Sequence, residues 1–177
     1  EKIHVMVKKY YSLEYQIIIV GDKKHPEVIG INGWCNDSAI IVNSGLDIGD
    51  IPDKVCVVAQ TTERQTTLEK VLSKVIKISK EIVVFNTICS ATEVRQKSAE
   101  ELSTKVDAMV VIGGFNSSNT TKLYEICKKN CENTVHVENL LGITDTFIND
   151  KNIKSIGVTA GASTPDWIIK EIMLKIN

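Results

Sequence analysis

The sequence lacks any surplus of positive charge and any long apolar run. Of its 177 residues, 21 are Lys or Arg and 22 are Asp or Glu, so the formal net charge is −1. Proteins that bind nucleic acid or anionic membranes usually carry a basic surface, so this balance disfavours both classes of partner. The longest apolar runs, such as residues 17–20 and 109–112, fall far short of the roughly 20 residues that a membrane-spanning helix needs. We therefore expect a soluble protein without nucleic-acid or membrane partners.

The sequence also lacks a secretion signal and the cysteine density of a disulfide scaffold. No positively charged segment followed by an apolar stretch and a cleavage site opens the chain, so a cytoplasmic location is expected. The five cysteines are an odd number spread over a long chain. Free thiols or a metal-binding role are therefore favoured over disulfides.

Short runs rich in Val and Ile alternate with longer amphipathic segments. This pattern is typical of parallel sheets covered by helices, and it predicts an α/β fold of two similar small domains, each with a mostly parallel sheet flanked by helices. The chain divides near Asn86 into halves of similar content, so the predicted domains are residues 1–86 and 87–177. The predicted strands are residues 16–20, 39–42, 54–59, 81–85, 108–112, 134–137 and 155–159, and the predicted helices are residues 1–13, 63–79, 94–103, 119–130 and 165–176.

The segments that follow the predicted strands are rich in Gly, Ser, Thr and Asn. In parallel sheets, ligands bind at the carboxyl ends of the strands. Small residues let backbone amides approach an anion, hydroxyl and amide side chains donate further bonds, and the helix dipole adds positive charge. Residues 116–119 and 161–163 follow strands of one predicted sheet and could hold one diphosphate between them. The alternative is that these Ser, Thr and Asn residues only cap helices.

A histidine and a carboxylate stand together at one strand exit, as His25 and Glu27 on either side of Pro26. They could form a proton-transfer pair. The alternative is an ordinary solvated turn.

Two cysteines, Cys127 and Cys131, lie four residues apart on a predicted helix. This spacing can hold a metal, but the sequence offers no nearby third ligand. Free cysteines are usually buried, so packing in the core is favoured for Cys127. Cys35 and Cys56 are likewise interpreted as packing residues.

Five motifs occur together in the chain. In order they read His25-Pro26-Glu27, Gln60-Thr61-Thr62, Ile88-Cys89-Ser90-Ala91-Thr92, Asn116-Ser117-Ser118-Asn119 and Thr159-Ala160-Gly161-Ala162-Ser163-Thr164-Pro165-Asp166. This combination spans nearly the whole chain, and it resembles the second and third α/β domains of the IspH/LytB family of iron-sulfur reductases. The resemblance implies reductive removal of the allylic hydroxyl from 4-hydroxy-3-methylbut-2-enyl diphosphate, which yields isopentenyl and dimethylallyl diphosphate in the methylerythritol phosphate pathway. The electrons would come from a ferredoxin or flavodoxin.

The resemblance also implies roles for individual residues. In the family, a 4Fe-4S cluster held by three cysteines acts as a Lewis acid on the substrate hydroxyl. Cys89 matches the third cysteine. Glu27, working with Thr61, matches the group that delivers protons to the departing oxygen. The residues that match the family's substrate and diphosphate contacts are His25, Thr61, Ser117, Ser118, Asn119 and Ser163.

Part of the family's pattern has no counterpart here. The family's first domain carries two of the cysteine ligands and two further histidines that hold the substrate, and His4 and His136 do not match those histidines. The resemblance therefore implies that this chain is a piece of a longer reductase and is inactive by itself.

Two other functions remain open. The chain could be a non-catalytic diphosphate-binding module of a larger protein, or an interaction domain, since some family members continue into RNA-binding repeats. Cys89 discriminates between reductase and binding module, because a binding module needs no thiol beside its anion site.

Overall fold

The computed structural model describes residues 2–43 and 48–176. The chain forms two compact units, Glu1–Cys89 and Ser90–Asn177, so the structural division follows Cys89, whereas the sequence places it near Asn86. Each unit contains one parallel sheet flanked by helices, which confirms the predicted α/β class. Within the described residues, no helix has the length and apolar character to cross a membrane.

The first unit is built on a four-stranded parallel sheet. Its strands are β1 (Gln16–Val20), β2 (Ile40–Val42), β3 (Lys54–Ala59) and β4 (Glu81–Val84), in the order β2-β1-β3-β4. Its helices are α1 (Lys2–Ser12), α2 (Pro26–Asn32) and α3 (Gln65–Val75), and a short 3-10 helix spans Gly33–Cys35.

Both faces of this sheet are buried. Ile18 and Val20 pack on one side with Leu68 of α3. Ile17 and Ile19 pack on the other side with residues of α1 and α2. A central parallel strand covered on both faces needs an unbroken apolar run, which is why β1 reads Gln-Ile-Ile-Ile-Val.

The second unit is built on a three-stranded parallel sheet. Its strands are β5 (Ala108–Ile112), β6 (Thr134–Val137) and β7 (Ile156–Ala160), in the order β6-β5-β7. All five residues of the central strand β5 are buried. Its helices are α4 (Ser90–Ser103), α5 (Ser118–Asn130), α6 (Asp145–Ile148) and α7 (Asp166–Ile176).

The helices differ from the prediction more than the strands do. The helix predicted over residues 63–79 spans only Gln65–Val75, and Ile78, within the predicted range, is 46% exposed. The helix predicted from Val94 begins four residues earlier, at Ser90. α2 and α6 were not predicted at all. The predicted start of the first helix, Glu1, lies outside the described residues.

Candidate functional site

The loops after β1 and β3 are held together at the carboxyl edge of the first sheet. These strands are neighbours, with Val20 opposite Ala59. The next residue, Gln60, is fully buried. Its backbone N–H donates to the carbonyl of Val20 at 2.8 Å, and its side-chain Oε1 accepts from the N–H of Asp22 at 3.0 Å. Gln60 has no predicted role of its own, although an amide directly after a buried strand must find hydrogen-bond partners for its polar atoms.

Glycine is required where these loops meet. A Cβ atom on Gly21 would lie 2.8 Å from the Cβ of Gln60 and 2.9 Å from a methyl group of Val28. Such separations are too short for carbon atoms, so a side chain at position 21 would push the two loops apart. Glycine at position 21 therefore lets the two loops pack closely where the chain leads into α2.

His25 caps the amino terminus of α2. The backbone N–H of Glu27 donates to Nδ1 of His25 at 3.2 Å, and Pro26 occupies the first turn, where its missing N–H costs nothing. Pro26 and Glu27 belong to the first turn of α2, so this segment is a helix start, and its role in proton transfer stays a prediction. With Nδ1 accepting, the neutral ring carries its proton on Nε2, which leaves Nε2–H as a donor for a ligand.

Both carboxylate oxygens of Glu27 contact Thr61. Oε1 accepts from the backbone N–H of Thr61 at 3.1 Å, and Oε2 accepts from its hydroxyl at 2.9 Å. These two bonds fix the carboxyl group in one orientation. Both residues are half-buried and border an open pocket of about 320 Å³, whose other lining residues are Ile3, His4, Pro26, Gly30 and Ile31. A carboxyl group held in this way is suited to transfer a proton to a ligand.

Cys89 lies at the same carboxyl edge of the first sheet. Its backbone N–H donates to the carbonyl of Thr61 at 2.9 Å, and the hydroxyl of Thr87 bonds both the N–H and the carbonyl of Ala59. The segment after β4 is thereby attached to the end of β3. Cys89 is exposed. The first unit therefore brings together the backbones of an accessible cysteine and of the residue that holds Glu27.

The other four cysteines are buried and unsuited to bind a cluster. Burial raises the pKa of Cys35, the pKa of Cys56 to about 12 and the pKa of Cys127 to about 11, and the thiolate that iron-sulfur ligation needs is therefore harder to form at these positions. Cys127 lies in the core of the second unit, as the packing interpretation expects, and Cys131 lies in the same core. Across residues 2–43 and 48–176, no group of three or more His, Cys, Asp or Glu side chains could hold a metal ion. By itself, this chain does not fit a 4Fe-4S cluster.

Two loops meet at the carboxyl edge of the second sheet. β5 and β7 are neighbours, with Ile112 opposite Ala160, and the N–H of Gly161 donates to the carbonyl of Ile112 at 2.8 Å. Any side chain at Gly161 would collide with the hydroxyl of Thr120, and Gly113 has a φ of +146°, which strongly favours glycine. The loop that carries Ser163, which is exposed, therefore lies directly against the one that leads into α5.

The amino terminus of α5 contains a buried amide that lacks partners. Ser117 is the N-cap, and its hydroxyl accepts from the N–H of Thr120 at 3.4 Å. Ser118 is half-buried. Asn119 is 7% exposed, and within the described part of the chain neither Oδ1 nor Nδ2 finds a hydrogen-bond partner. Since unpaired buried polar atoms are rare and destabilising, the Asn119 amide, at the positive end of a helix, is suited to bond an anion.

The sequence-predicted residues thus fall into two groups. His25, Glu27, Thr61 and Cys89 belong to the first unit, where hydrogen bonds link Glu27 and Cys89 to Thr61 and Glu27 to His25. In the second unit, Ser117, Ser118 and Asn119 open α5, and Ser163 follows the neighbouring strand.

Comparison with known proteins connects both groups to one family. The family model described as LytB protein matches residues 1–177. The 4-hydroxy-3-methylbut-2-enyl diphosphate reductase of Clostridium perfringens strain 13 is 62% identical over 174 residues, which cover 98% of this chain and 62% of the relative. The reductase of the same name from Clostridium tetani is 61% identical over 175 residues, which cover 99% of this chain and 27% of the relative.

Two solved structures of reductases also match this chain. The structure of the E-1-hydroxy-2-methyl-but-2-enyl-4-diphosphate reductase from Plasmodium falciparum matches with a TM-score of 0.83 at 28% identity, over 98% of this chain and 56% of that one. A structure of (E)-4-hydroxy-3-methyl-but-2-enyl diphosphate reductase matches with a TM-score of 0.56 at 39% identity, over 99% and 63% of the two chains. The chain therefore spans less than two thirds of the length of these relatives.

Proposed function

This chain belongs to the LytB protein family, and on that premise we propose that it forms the second and third domains of a 4-hydroxy-3-methylbut-2-enyl diphosphate reductase. Residues 1–86 would be the second domain and residues 87–177 the third. The complete protein would remove the allylic hydroxyl of its substrate and release isopentenyl and dimethylallyl diphosphate, in the cytoplasm. The chain alone would be inactive, since it spans 62% of the C. perfringens relative.

The observation that carries this proposal is the connection of Glu27 and Cys89 through Thr61. Replacing a hydroxyl by hydrogen consumes two electrons and two protons and releases water, and the oxygen leaves only once it is protonated. Glu27 is the group that can supply a proton, and Thr61 fixes its carboxyl oxygens by two hydrogen bonds. After each transfer, the carboxylate would be stabilised by the same two donors.

The cofactor would be a 4Fe-4S cluster, with Cys89 as one of three cysteine ligands and the other two outside this chain. When bound, the cluster supplies the electrons, which would arrive from a ferredoxin or flavodoxin. Cys89 suits this role because its side chain is exposed and its backbone is attached to Thr61, whereas the other cysteines are buried.

The second unit would hold the diphosphate. Ser117, Ser118 and Asn119 offer two hydroxyl groups and an amide at the positive end of a 13-residue helix, and Ser163 offers a further hydroxyl group from the neighbouring loop. In the first unit, His25 would offer its Nε2–H to the substrate as a donor, and Thr61, whose hydroxyl proton goes to Glu27, would offer its hydroxyl oxygen as an acceptor.

The rival function is a diphosphate-binding module without catalysis. The unpartnered amide of Asn119 is equally consistent with it. It gives no reason, however, for an exposed cysteine beside the residue that holds Glu27, and this difference favours the reductase.

The proposal is tested in the chain joined to the upstream domain of the C. perfringens relative, with the cluster assembled anaerobically. We expect turnover with a chemical reductant, and we expect Glu27→Gln to lower it about a hundredfold or more, the usual size of general acid catalysis, because the exchangeable proton is lost while the shape is kept. Glu69→Gln, an equal change of charge at an exposed site on α3, is the control. Normal turnover of the Glu27 variant would exclude Glu27 as the proton donor, and no turnover of the unaltered protein despite a bound cluster would exclude the reductase.

A further inference from the structure

The loop between β5 and α5 is held by three consecutive residues at the end of β6. The ring Nε2 of His136 donates to the carbonyl of Gly113 at 2.9 Å; since a carbonyl can only accept, Nε2 carries the proton. The N–H of Gly113 donates to the carbonyl of Val137 at 2.9 Å. The N–H of Phe115 donates to Oε1 of Glu138 at 2.8 Å. Both backbone groups of Gly113 and the N–H of Phe115 are thus bonded to one short segment.

These bonds determine how the chain enters α5. The N–H of Ser117 donates to the carbonyl of Gly114 at 3.0 Å, which closes a tight turn directly before the helix. With Gly113 and Phe115 fixed, the turn between them and Ser117 has little freedom. Aromatic packing adds to this, because the ring of His136 contacts Phe115 with centroids 4.7 Å apart and stacks on Tyr124 of α5 at 5.6 Å.

We propose that His136 and Glu138 are positioning residues for diphosphate binding. They would hold the turn so that Ser117, Ser118 and Asn119 face the anion before it arrives, which lowers the ordering cost of binding. Neither residue belongs to the motifs that carry the family resemblance. The inference deepens the proposed function and rests on its diphosphate site.

Because Glu138 is charged, the direction in which anion affinity changes on its removal tests the inference. Glu138 is exposed, and its carboxylate lies close to a loop that is proposed to bind an anion. The negative charge of Glu138 would repel a bound anion, so on electrostatic grounds alone its removal should tighten binding. If its role is to hold Phe115, removal should weaken binding instead.

Two pairs of variants separate these effects. Glu138→Gln keeps an oxygen that can accept from Phe115 and removes the charge, whereas Glu138→Ala removes both. His136→Gln keeps an N–H donor at a similar reach, whereas His136→Leu removes it. We expect the Ala and Leu variants to bind pyrophosphate about threefold to tenfold more weakly, as for the loss of one hydrogen bond. We expect the two Gln variants to bind as tightly as the unaltered chain, or more tightly at Glu138.

The experiment is calorimetric titration of the chain with pyrophosphate, together with amide hydrogen exchange of Phe115 measured by NMR. The Phe115 amide should exchange faster in Glu138→Ala than in Glu138→Gln. Glu132→Ala, which removes the same charge before β6 at the other end of the strand, should leave affinity and exchange unchanged.

Two results would overturn the inference alone. One is pyrophosphate binding that Asn119→Ala weakens and neither Glu138→Ala nor His136→Leu changes; the other is tighter binding by Glu138→Ala. If the unaltered chain does not bind pyrophosphate, the proposed diphosphate site is wrong and the inference falls with it. The pairs at the two positions are independent, so one unstable variant does not remove the test.

Discussion

Replacing Asn119 with alanine should weaken ligand binding without weakening the fold. Both polar atoms of this side chain are buried and find no hydrogen-bond partner among residues 2–43 and 48–176. A buried polar group in this condition costs about 1–3 kcal/mol. Alanine removes that cost and forfeits some packing, so the free energy of unfolding should stay the same or rise by up to about 1 kcal/mol.

Binding should change in the opposite direction. Each hydrogen bond to a charged group contributes about 1.5–3 kcal/mol, so loss of one bond from the Asn119 amide to an anion should raise the Kd for pyrophosphate about 10-fold to 150-fold. Binding of pyrophosphate by this chain should be weak and sensitive to salt from the start, because the chain offers only part of the proposed site.

Calorimetric titration and urea unfolding measure the two effects on the same samples. Asn149→Ala, at an exposed position after α6, is the control and should change neither quantity. Ser117→Ala should weaken binding and also lower stability by about 0.5–2 kcal/mol, because Ser117 caps α5.

Unchanged affinity in Asn119→Ala would refute the assignment of this amide to a ligand. A loss of stability above about 2 kcal/mol would show that the amide is satisfied within the fold, which contradicts the structural argument.

Two further predictions concern thiols and a glycine. In the folded chain at pH 7.5, iodoacetamide should modify Cys89 within minutes and leave Cys56 unmodified until urea is added, because Cys89 is exposed and burial raises the pKa of Cys56 to about 12. Mass spectrometry of peptides measures both labelling rates. Equal labelling of the two cysteines would contradict the burial argument. Gly161→Ala should lower the free energy of unfolding by about 1–3 kcal/mol, because its Cβ would collide with the hydroxyl of Thr120. Gly30→Ala is the control and should change the free energy of unfolding little, because its Cβ would meet nothing within 4 Å. Equal effects of the two substitutions in urea unfolding would contradict the tight contact of the two loops.

The central strands could be predicted from sequence to the residue, and the short helices could not. β1, β3 and β5 are buried on both faces, so their apolar runs have sharp ends. α2 has seven residues, of which Val28 and Ile31 are buried, and this is too short for a helical period to show.

The contact between Glu27 and Thr61 was accessible only through the family resemblance. Glu27 and Thr61 are 34 positions apart, and composition or periodicity does not indicate that they meet. The bonds from His136 and Glu138 depend on how β6 lies beside β5, and the burial of the Asn119 amide depends on tertiary packing, so no local pattern reports them.

The presence or absence of a cluster bound through Cys89 tests the central claim most directly. After anaerobic incubation with iron and sulfide, the isolated chain should show no stable visible absorption of a 4Fe-4S centre, because it offers one accessible thiol and its other cysteines are buried. The chain joined to the upstream domain of the C. perfringens relative should develop this absorption and reduce the substrate, and Cys89→Ser in that longer protein should abolish both. A stable cluster in the isolated chain, or an unaltered cluster in the Cys89→Ser protein, would contradict the account.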